Sequence, residues 1–227
     1  MIYILYRHYN IKGTDDKGRP HWFDYEKCFQ NLLSSIENQP VSLHVIFDGE
    51  IEDNFIWKYK NFYTHHQIDA GTDQISFTKT WEIVNQLDIK DDDLIYFLEN
   101  DYLHIKGWVK EVISLFNSLN PEMHYVSLYD HGDKYLLPIY NNLTSKIFTS
   151  PTRHWRTTPS TCGSFIITKK LFKSDFDIHT TVSGDHNKFL ELNSNRNRAV
   201  LTPIPSLSTH CMEGLLSPTI NWEKIND

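Results

Sequence analysis

The apolar positions of the chain follow two rhythms that exchange along its length. Ile2 to Tyr6 is a short continuous apolar run ending in polar residues, and Val41 to Phe47 is another, ending at the turn-like pair Asp48-Gly49. Both are expected to be buried strands. Between them Tyr25, Cys28, Phe29, Leu32, Leu33 and Ile36 recur at helical spacing behind Asp24, which predicts a helix with Asp24 as its N-cap. Phe62 to Ile68 is expected as a third strand, followed by a helix beginning near Ser76 whose inner face carries Phe77, Trp81, Val84 and Leu87. Leu94-Ile-Tyr-Phe-Leu98 is an apolar run of the kind buried on both faces of a parallel sheet, and Glu99-Asn100-Asp101 ends it. Trp108, Val112, Phe116 and Leu119 predict a further helix stopped near Pro121, and Tyr125 to Tyr129 the next strand. After Asp130 the pattern loosens into a long polar and aromatic stretch. Strands are expected at Ser164 to Thr168 and near Ala199 to Thr202, with a short helix over Asp185 to Leu192 between them. This alternation predicts an α/β fold with a central, mostly parallel sheet flanked by helices.

Composition narrows the class. The chain has 227 residues, 40% hydrophobic, 14% aromatic and 22% charged, which is the make-up of a folded globule and not of a disordered chain. Glycine and proline, nine of each, are scattered without a linker, so residues 1–227 are read as one domain. With 22 Lys+Arg against 29 Asp+Glu the formal net charge is −7, and no basic run occurs. Nucleic acid is therefore not an expected partner, because its binding rests on cationic side chains neutralising phosphates. No stretch approaches the roughly 20 apolar residues of a transmembrane helix. Met1 leads directly into Ile-Tyr-Ile-Leu-Tyr-Arg-His without a basic leader, which predicts a cytoplasmic protein, at most peripheral to a membrane. Cys28, Cys162 and Cys211 are widely spaced and odd in number, the pattern of neither a disulfide framework nor a metal cluster.

The candidate chemistry lies where one strand ends. Ligands of open α/β sheets bind outside the carboxyl ends of the strands, and Glu99-Asn100-Asp101 is in that place. Two carboxylates one residue apart are hard oxygen ligands suited to Mg²⁺ or Mn²⁺ on phosphate oxygens. The same triplet on a surface is an ordinary acidic turn. No GxxxxGK[ST] and no GxGxxG is present, which removes P-loop and dinucleotide-binding readings.

The run from Asp93 through Glu99-Asn100-Asp101 to Gly107-Trp108 resembles the segment of GT-A-fold, nucleotide-sugar-dependent glycosyltransferases in which an apolar strand delivers a DxD motif. The likeness extends more loosely to Arg7-His8-Tyr9-Asn10 after the first strand, Asp48 after the second, and Ser76, Lys79 and Trp81 on the following helix. It departs from DxD in beginning with Glu99. The resemblance implies a single Rossmann-like GT-A domain, with residues 1–101 as the nucleotide-sugar half and 102–227 as the acceptor and catalytic half. It implies Arg7, Tyr9, Asp48, Lys79 and Asn100 around the donor, and Asp101, His210 and Glu99 as ligands of Mn²⁺ or Mg²⁺. His210, in Ser206-Leu-Ser-Thr-His210-Cys-Met-Glu-Gly214, resembles the late histidine that many GT-A enzymes place beside their metal.

Transfer with inversion needs a carboxylate to take the acceptor's hydroxyl proton. Asp185, in Val182-Ser-Gly-Asp185-His-Asn-Lys-Phe189, resembles the acid that supplies this base; a retaining mechanism would not need it, and an Asp opening a helix is also a common N-cap. Arg153-His-Trp155-Arg156 through Gly163 looks like the acceptor-side loop. There Trp155 is expected to stack on a sugar, Arg153 or Arg156 to meet the leaving diphosphate, and Gly163 to allow close passage. The expected partners are a nucleotide-diphosphate sugar and a glycan or lipid-linked sugar acceptor. Nucleotidyltransferases normally carry a Gly-rich basic loop after the first strand, which Leu5-Tyr-Arg-His-Tyr-Asn10 lacks. A non-catalytic carbohydrate-binding protein on the same fold is the alternative of another class.

Overall fold

The computed structural model describes residues 1–10, 17–119 and 124–226. At its centre is a nine-stranded sheet built on the three apolar runs legible in the sequence. β1 (Ile2–Tyr9), β2 (Val41–Asp48) and β4 (Leu94–Glu99) run parallel, with β1 in the middle and β3 (Thr64–Ile68) parallel to β2 at the edge. Alternation sets the register. Ile2, Ile4 and Tyr6 pack with Phe29 and Leu32 of α1 (Tyr25–Ile36) and with Trp108 and Val112 of α3 (Trp108–Ser118). Leu5 belongs to the other core, with Phe77 and Trp81 of α2 (Asp73–Gln86) and Leu171 and Phe172 of α5 (Lys169–Thr181). Because helices cover both faces, the runs are mostly apolar, with Ser42 and His44 interrupting β2 and polar residues gathering toward the carboxyl ends.

Beyond β4 the sheet becomes mixed. β9 (Phe165–Thr168) is antiparallel to β4 and to β6 (His124–Val126), and β10 (Ala199–Ile204) is parallel to β6. After β6 comes the four-residue helix α4 (Asp133–Leu136), and the hairpin of β7 (Ile147–Ser150) and β8 (Arg153–Thr158) completes the far edge. A second, two-stranded sheet joins β5 (Tyr102–His104) antiparallel to β11 (Ser208–His210). Among the described residues no helix is long and apolar enough to cross a membrane.

Several local expectations are corrected. Phe62 closes a 3-10 helix over Phe55–Phe62, so β3 starts at Thr64. α2 starts at Asp73, three residues early, because the Thr72 hydroxyl caps it by accepting from the Ile75 N–H at 3.3 Å. The strand expected to Tyr129 pairs only through Val126; Tyr129 instead bridges to Ser208. The segment carrying Arg153, Trp155 and Arg156 is a strand and not a loop, and α5 had no forecast. α3 ends at Ser118; Pro121, the expected stop, lies outside the described residues.

Candidate active site

The parallel register places the chemistry. Tyr9 pairs with Asp48 and Arg7 with Glu99, so the ends of β1, β2 and β4 meet along one sheet edge. There a cleft of about 470 Å³ is lined by residues that include Arg7, Tyr9, Lys17, Asp48, Asp73 and Glu99. Arg7 is buried and doubly engaged: Nη1 is 2.8 Å from Asp73 Oδ1, Nη2 is 3.1 Å from Glu99 Oε1, and the guanidinium lies 5.2 Å from the Phe77 ring centroid. Burial pushes the Glu99 carboxyl up, and the Asp101 charge adds to that, while the Arg7 charge pulls it down; the net shift is upward. The Ser164 hydroxyl donates to Glu99 Oε2 at 3.3 Å.

Asp101 is reached through the small sheet. Pairing of β5 with β11 sets His210 opposite Tyr102, with their rings stacked at 5.0 Å, and so beside Asp101. The Asp101 side chain is 1% exposed, and its Oδ2 lies 3.0 Å from His210 Nε2, 2.8 Å from Arg19 Nη2 and 3.8 Å from Lys17 Nζ. Burial pushes its carboxyl up, but the charges of His210, Arg19 and Lys17 and the His210 hydrogen bond outweigh that and hold it well below the usual carboxylate range. Its other oxygen, Oδ1, is buried and has no hydrogen-bond partner among the described residues.

A smaller cleft of about 140 Å³ shares Arg7 and Asp73 with the larger one and adds Gly163, Gly184, Asp185 and Lys188. A Cβ on Gly163 would stand 3.2 Å from Arg7 Nη2 and 3.4 Å from Glu99, so only glycine lets the chain pass the ion pair undisturbed. Gly184, at φ 79°, takes the N-cap position of α6 (Asp185–Arg196), which leaves the Asp185 carboxylate out of the capping role. Asp185 is 41% exposed, with Lys188 Nζ 3.7 Å away. Burial pushes its carboxyl up and Lys188 and Arg7 draw it back only in part.

No family model and no curated protein matches the sequence. Solved structures do. The galactosyltransferase LgtC, in complex with donor and acceptor sugar analogues, is similar at 9% identity and a TM-score of 0.47, over 83% of this chain and 69% of that one. S. aureus TarS is similar at 14% identity and a TM-score of 0.51, over 88% of this chain and 34% of that one. TarS 1–349 in complex with UDP-GlcNAc is similar at 13% identity and a TM-score of 0.52, over 88% of this chain and 55% of that one. The fold is that of the GT-A-type glycosyltransferases.

Within the GT-A frame the expected residues separate. The present chain spans about half of the TarS 1–349 fragment. Arg7, Tyr9, Asp48 and Asn100 line the large cleft, as does Ser76. Asp48 already accepts from the Ala70 and Gly71 N–H groups, at 2.8 and 3.0 Å, and thereby shapes the turn before α2. Asn100 is buried, its Nδ2 2.7 Å from His8 Nδ1. Lys79 lines a different groove, with His66, Asp69 and Glu82, about one turn further along α2 from Ser76. Trp81 is a core residue stacked on Phe97 and Phe172 at 4.8 and 4.5 Å.

The acceptor-side expectations change most. Trp155 is fully buried and donates from Nε1 to the Ser150 hydroxyl at 3.2 Å, so its ring has no face open to a sugar. Arg156 is buried against Asp130 at 2.6 Å, and Arg153 donates to the Pro205 carbonyl at 2.7 Å. All three lie on β8, separated from β4 in the sheet by β9, β6 and β10. Gly163 alone of that segment's candidates lines either cleft described here. Asp73, Lys17 and Arg19 had no forecast; Asp73 was legible as an acid behind a Thr cap, but the other two carry no local signal.

The expected metal ligands come together in part. Asp101 and His210 meet, and the orphaned Asp101 Oδ1 suits a cation, whereas Glu99 is turned onto Arg7. Among the described residues no group of three His, Cys, Asp or Glu side chains converges on a metal position. Two protein ligands are nonetheless what a hard divalent ion uses when phosphate oxygens and water complete its shell, so the pair fits and Glu99 stands outside it.

Proposed function

We propose that the chain is a glycosyltransferase that moves a sugar from a nucleotide-diphosphate sugar to a hydroxyl of a glycan or lipid-linked acceptor, with inversion. One observation carries this reading: Arg7 and Asp73 wall both the large cleft and the smaller cleft that contains Asp185. A donor in the first thereby presents its sugar to an acid in the second. Asp185 accepts the acceptor's hydroxyl proton while that oxygen forms its bond to the anomeric carbon. The bond from that carbon to the phosphate oxygen breaks, and the nucleoside diphosphate leaves with the electron pair. The raised Asp185 carboxyl suits a base that works near neutrality better than an unperturbed one. Asp101 and His210 are the residues that would hold Mn²⁺ or Mg²⁺, which would stabilise charge on the departing phosphates. Arg7 orients Glu99 and Asp73 at the rim.

The experiment is a screen of nucleotide sugars, beginning with UDP-GlcNAc, for binding and slow hydrolysis with Mn²⁺ and with EDTA, comparing wild type with Asp101→Ala. Binding and metal-stimulated hydrolysis that Asp101→Ala loses support the reading. If no nucleotide sugar binds, or turnover ignores both the ion and the substitution, the reading fails; binding without any turnover points to a carbohydrate-binding protein.

A further inference from the structure

Lys188 carries its charge inward. A lysine on the surface of a helix ordinarily buries its stem and keeps its ammonium in water, yet this side chain is only 6% exposed, against 41% for Asp185 one turn earlier in α6. Its ammonium lies 4.3 Å from the centroid of the Phe77 ring and 3.7 Å from Asp185 Oδ1. Phe77 is itself buried, and the Arg7 guanidinium lies over the same ring. The electron-rich face of an aromatic ring attracts a cation, so one side chain of α2 is the bed for both cations of the smaller cleft. These two face two carboxylates there, Asp73 and Asp185. Arg7 is engaged by Asp73 and Glu99, and the cation paired with Asp185 is Lys188.

From this arrangement we infer that Lys188 is the positioning residue of Asp185: seated on Phe77, its ammonium holds the carboxylate at the wall of the smaller cleft in the charged form that can accept a proton. The inference rests on the glycosyltransferase reading and deepens it, because a base must be both aimed and ionised before the acceptor's hydroxyl arrives. The groups facing Asp185 are Lys188 on its own helix, Arg7 from β1, Asp73 from α2 and the Cys162 thiol ahead of β9, which burial keeps neutral. Burial pushes the Asp185 carboxyl up; Lys188 opposes that most strongly, then Arg7, while Asp73 adds to it. Without Lys188 the carboxyl would stay protonated to a higher pH. The spacing of three residues between Asp185 and Lys188 is legible in the sequence as a helical ion pair, but only the packing of α6 against Phe77 turns the ammonium inward.

The test compares wild type with Lys188→Met, which keeps a stem to pack on Phe77 without the charge, and with Lys188→Arg, which keeps the charge. The first readout is a ¹³C NMR titration of the Asp185 carboxyl in the protein alone, its signal assigned by its disappearance in Asp185→Asn. Lys188→Met is expected to raise the titration midpoint by about one pH unit or more, and Lys188→Arg by less. The second readout is the pH profile of kcat for UDP-GlcNAc hydrolysis with Mn²⁺: its acid limb moves up with the midpoint in Lys188→Met, while the donor KM stays within about twofold of wild type. A midpoint or an acid limb that does not move in Lys188→Met overturns the inference. So does a loss of kcat of equal size at every pH together with a lower melting temperature, which marks a merely structural role. If wild type turns over no nucleotide sugar, with or without Mn²⁺, the glycosyltransferase reading falls, and the titration alone then decides whether Lys188 governs Asp185.

Discussion

Asp101 and Arg19 form the pair on which the site's innermost charge depends, and a double-mutant cycle measures it. The perturbations are Asp101→Asn, Arg19→Gln and the two combined. Asp101→Asn keeps the shape of the side chain but removes the carboxylate charge that lies 2.8 Å from a guanidinium only 8% exposed. Removing one partner of a buried ion pair costs about 3–5 kcal/mol, a large part of the roughly 5–15 kcal/mol of a domain's stability. The double variant removes both charges, so the single losses are expected not to add, with a coupling of about 2–3 kcal/mol. Urea unfolding at pH 7 is the assay.

The pH dependence of the same pair has a defined sign. The Asp101 carboxyl is held below its ordinary value, so its stabilising contribution is fully present above the unfolded pKa of about 3.9 and is lost as pH falls toward the folded value. Wild type therefore loses stability below about pH 4 that Asp101→Asn does not have to lose. A coupling under about 0.5 kcal/mol, or identical acid profiles for wild type and Asp101→Asn, would refute the view that this pair is energetically linked.

Asp185→Asn is expected to keep donor binding and to lower transfer by about 10²–10⁴-fold in a coupled nucleotide-release assay; an active variant points to a retaining mechanism or another acid. Gly163→Ala forces Arg7 and Glu99 apart by a few tenths of an ångström from contacts of 3.2 and 3.4 Å, an overpacking of about 1–3 kcal/mol, and lowers kcat/KM; unchanged kinetics would free the glycine of any role. Burial pushes His8 down to about 4 and His104 to about 3. Both are neutral in the fold and charge on unfolding, so melts at pH 5 show about 4 kcal/mol less stability than at pH 7 from these two; equal melting temperatures would contradict their burial. Trp155→Ala costs about 3–5 kcal/mol as a core cavity, while Trp155→Phe leaves acceptor KM unchanged, and a raised acceptor KM there would restore the sugar-stacking role.

The strands at the heart of the sheet were legible because burial on both faces leaves a plain signature: Ile2 to Tyr6 and Leu94 to Leu98 are apolar throughout, and Val41 to Phe47 is broken only by Ser42 and His44. Their polar ends marked the ligand edge, since Arg7, Asp48 and Glu99 stand toward the carboxyl ends of β1, β2 and β4. What failed was reading roles from residue type in the second half. Trp155 and Arg156 look like ligand-binding side chains, yet β8 packs the indole inward and pairs the guanidinium with Asp130. A short strand with Thr, Arg and His among its few residues has no periodicity that separates it from a loop.

Local periodicity and the burial of contiguous apolar residues were enough to set the α/β class, the parallel block and the edge that holds the acids. Which charges meet was a matter for the folded chain alone. His210 reaches Asp101 across 109 positions through the pairing of β5 with β11, Arg19 reaches it across 82, and Glu99 turns to Arg7 across 92. Electrostatic partnership depends on distances of a few ångströms between side chains from remote segments, and no local pattern encodes those distances.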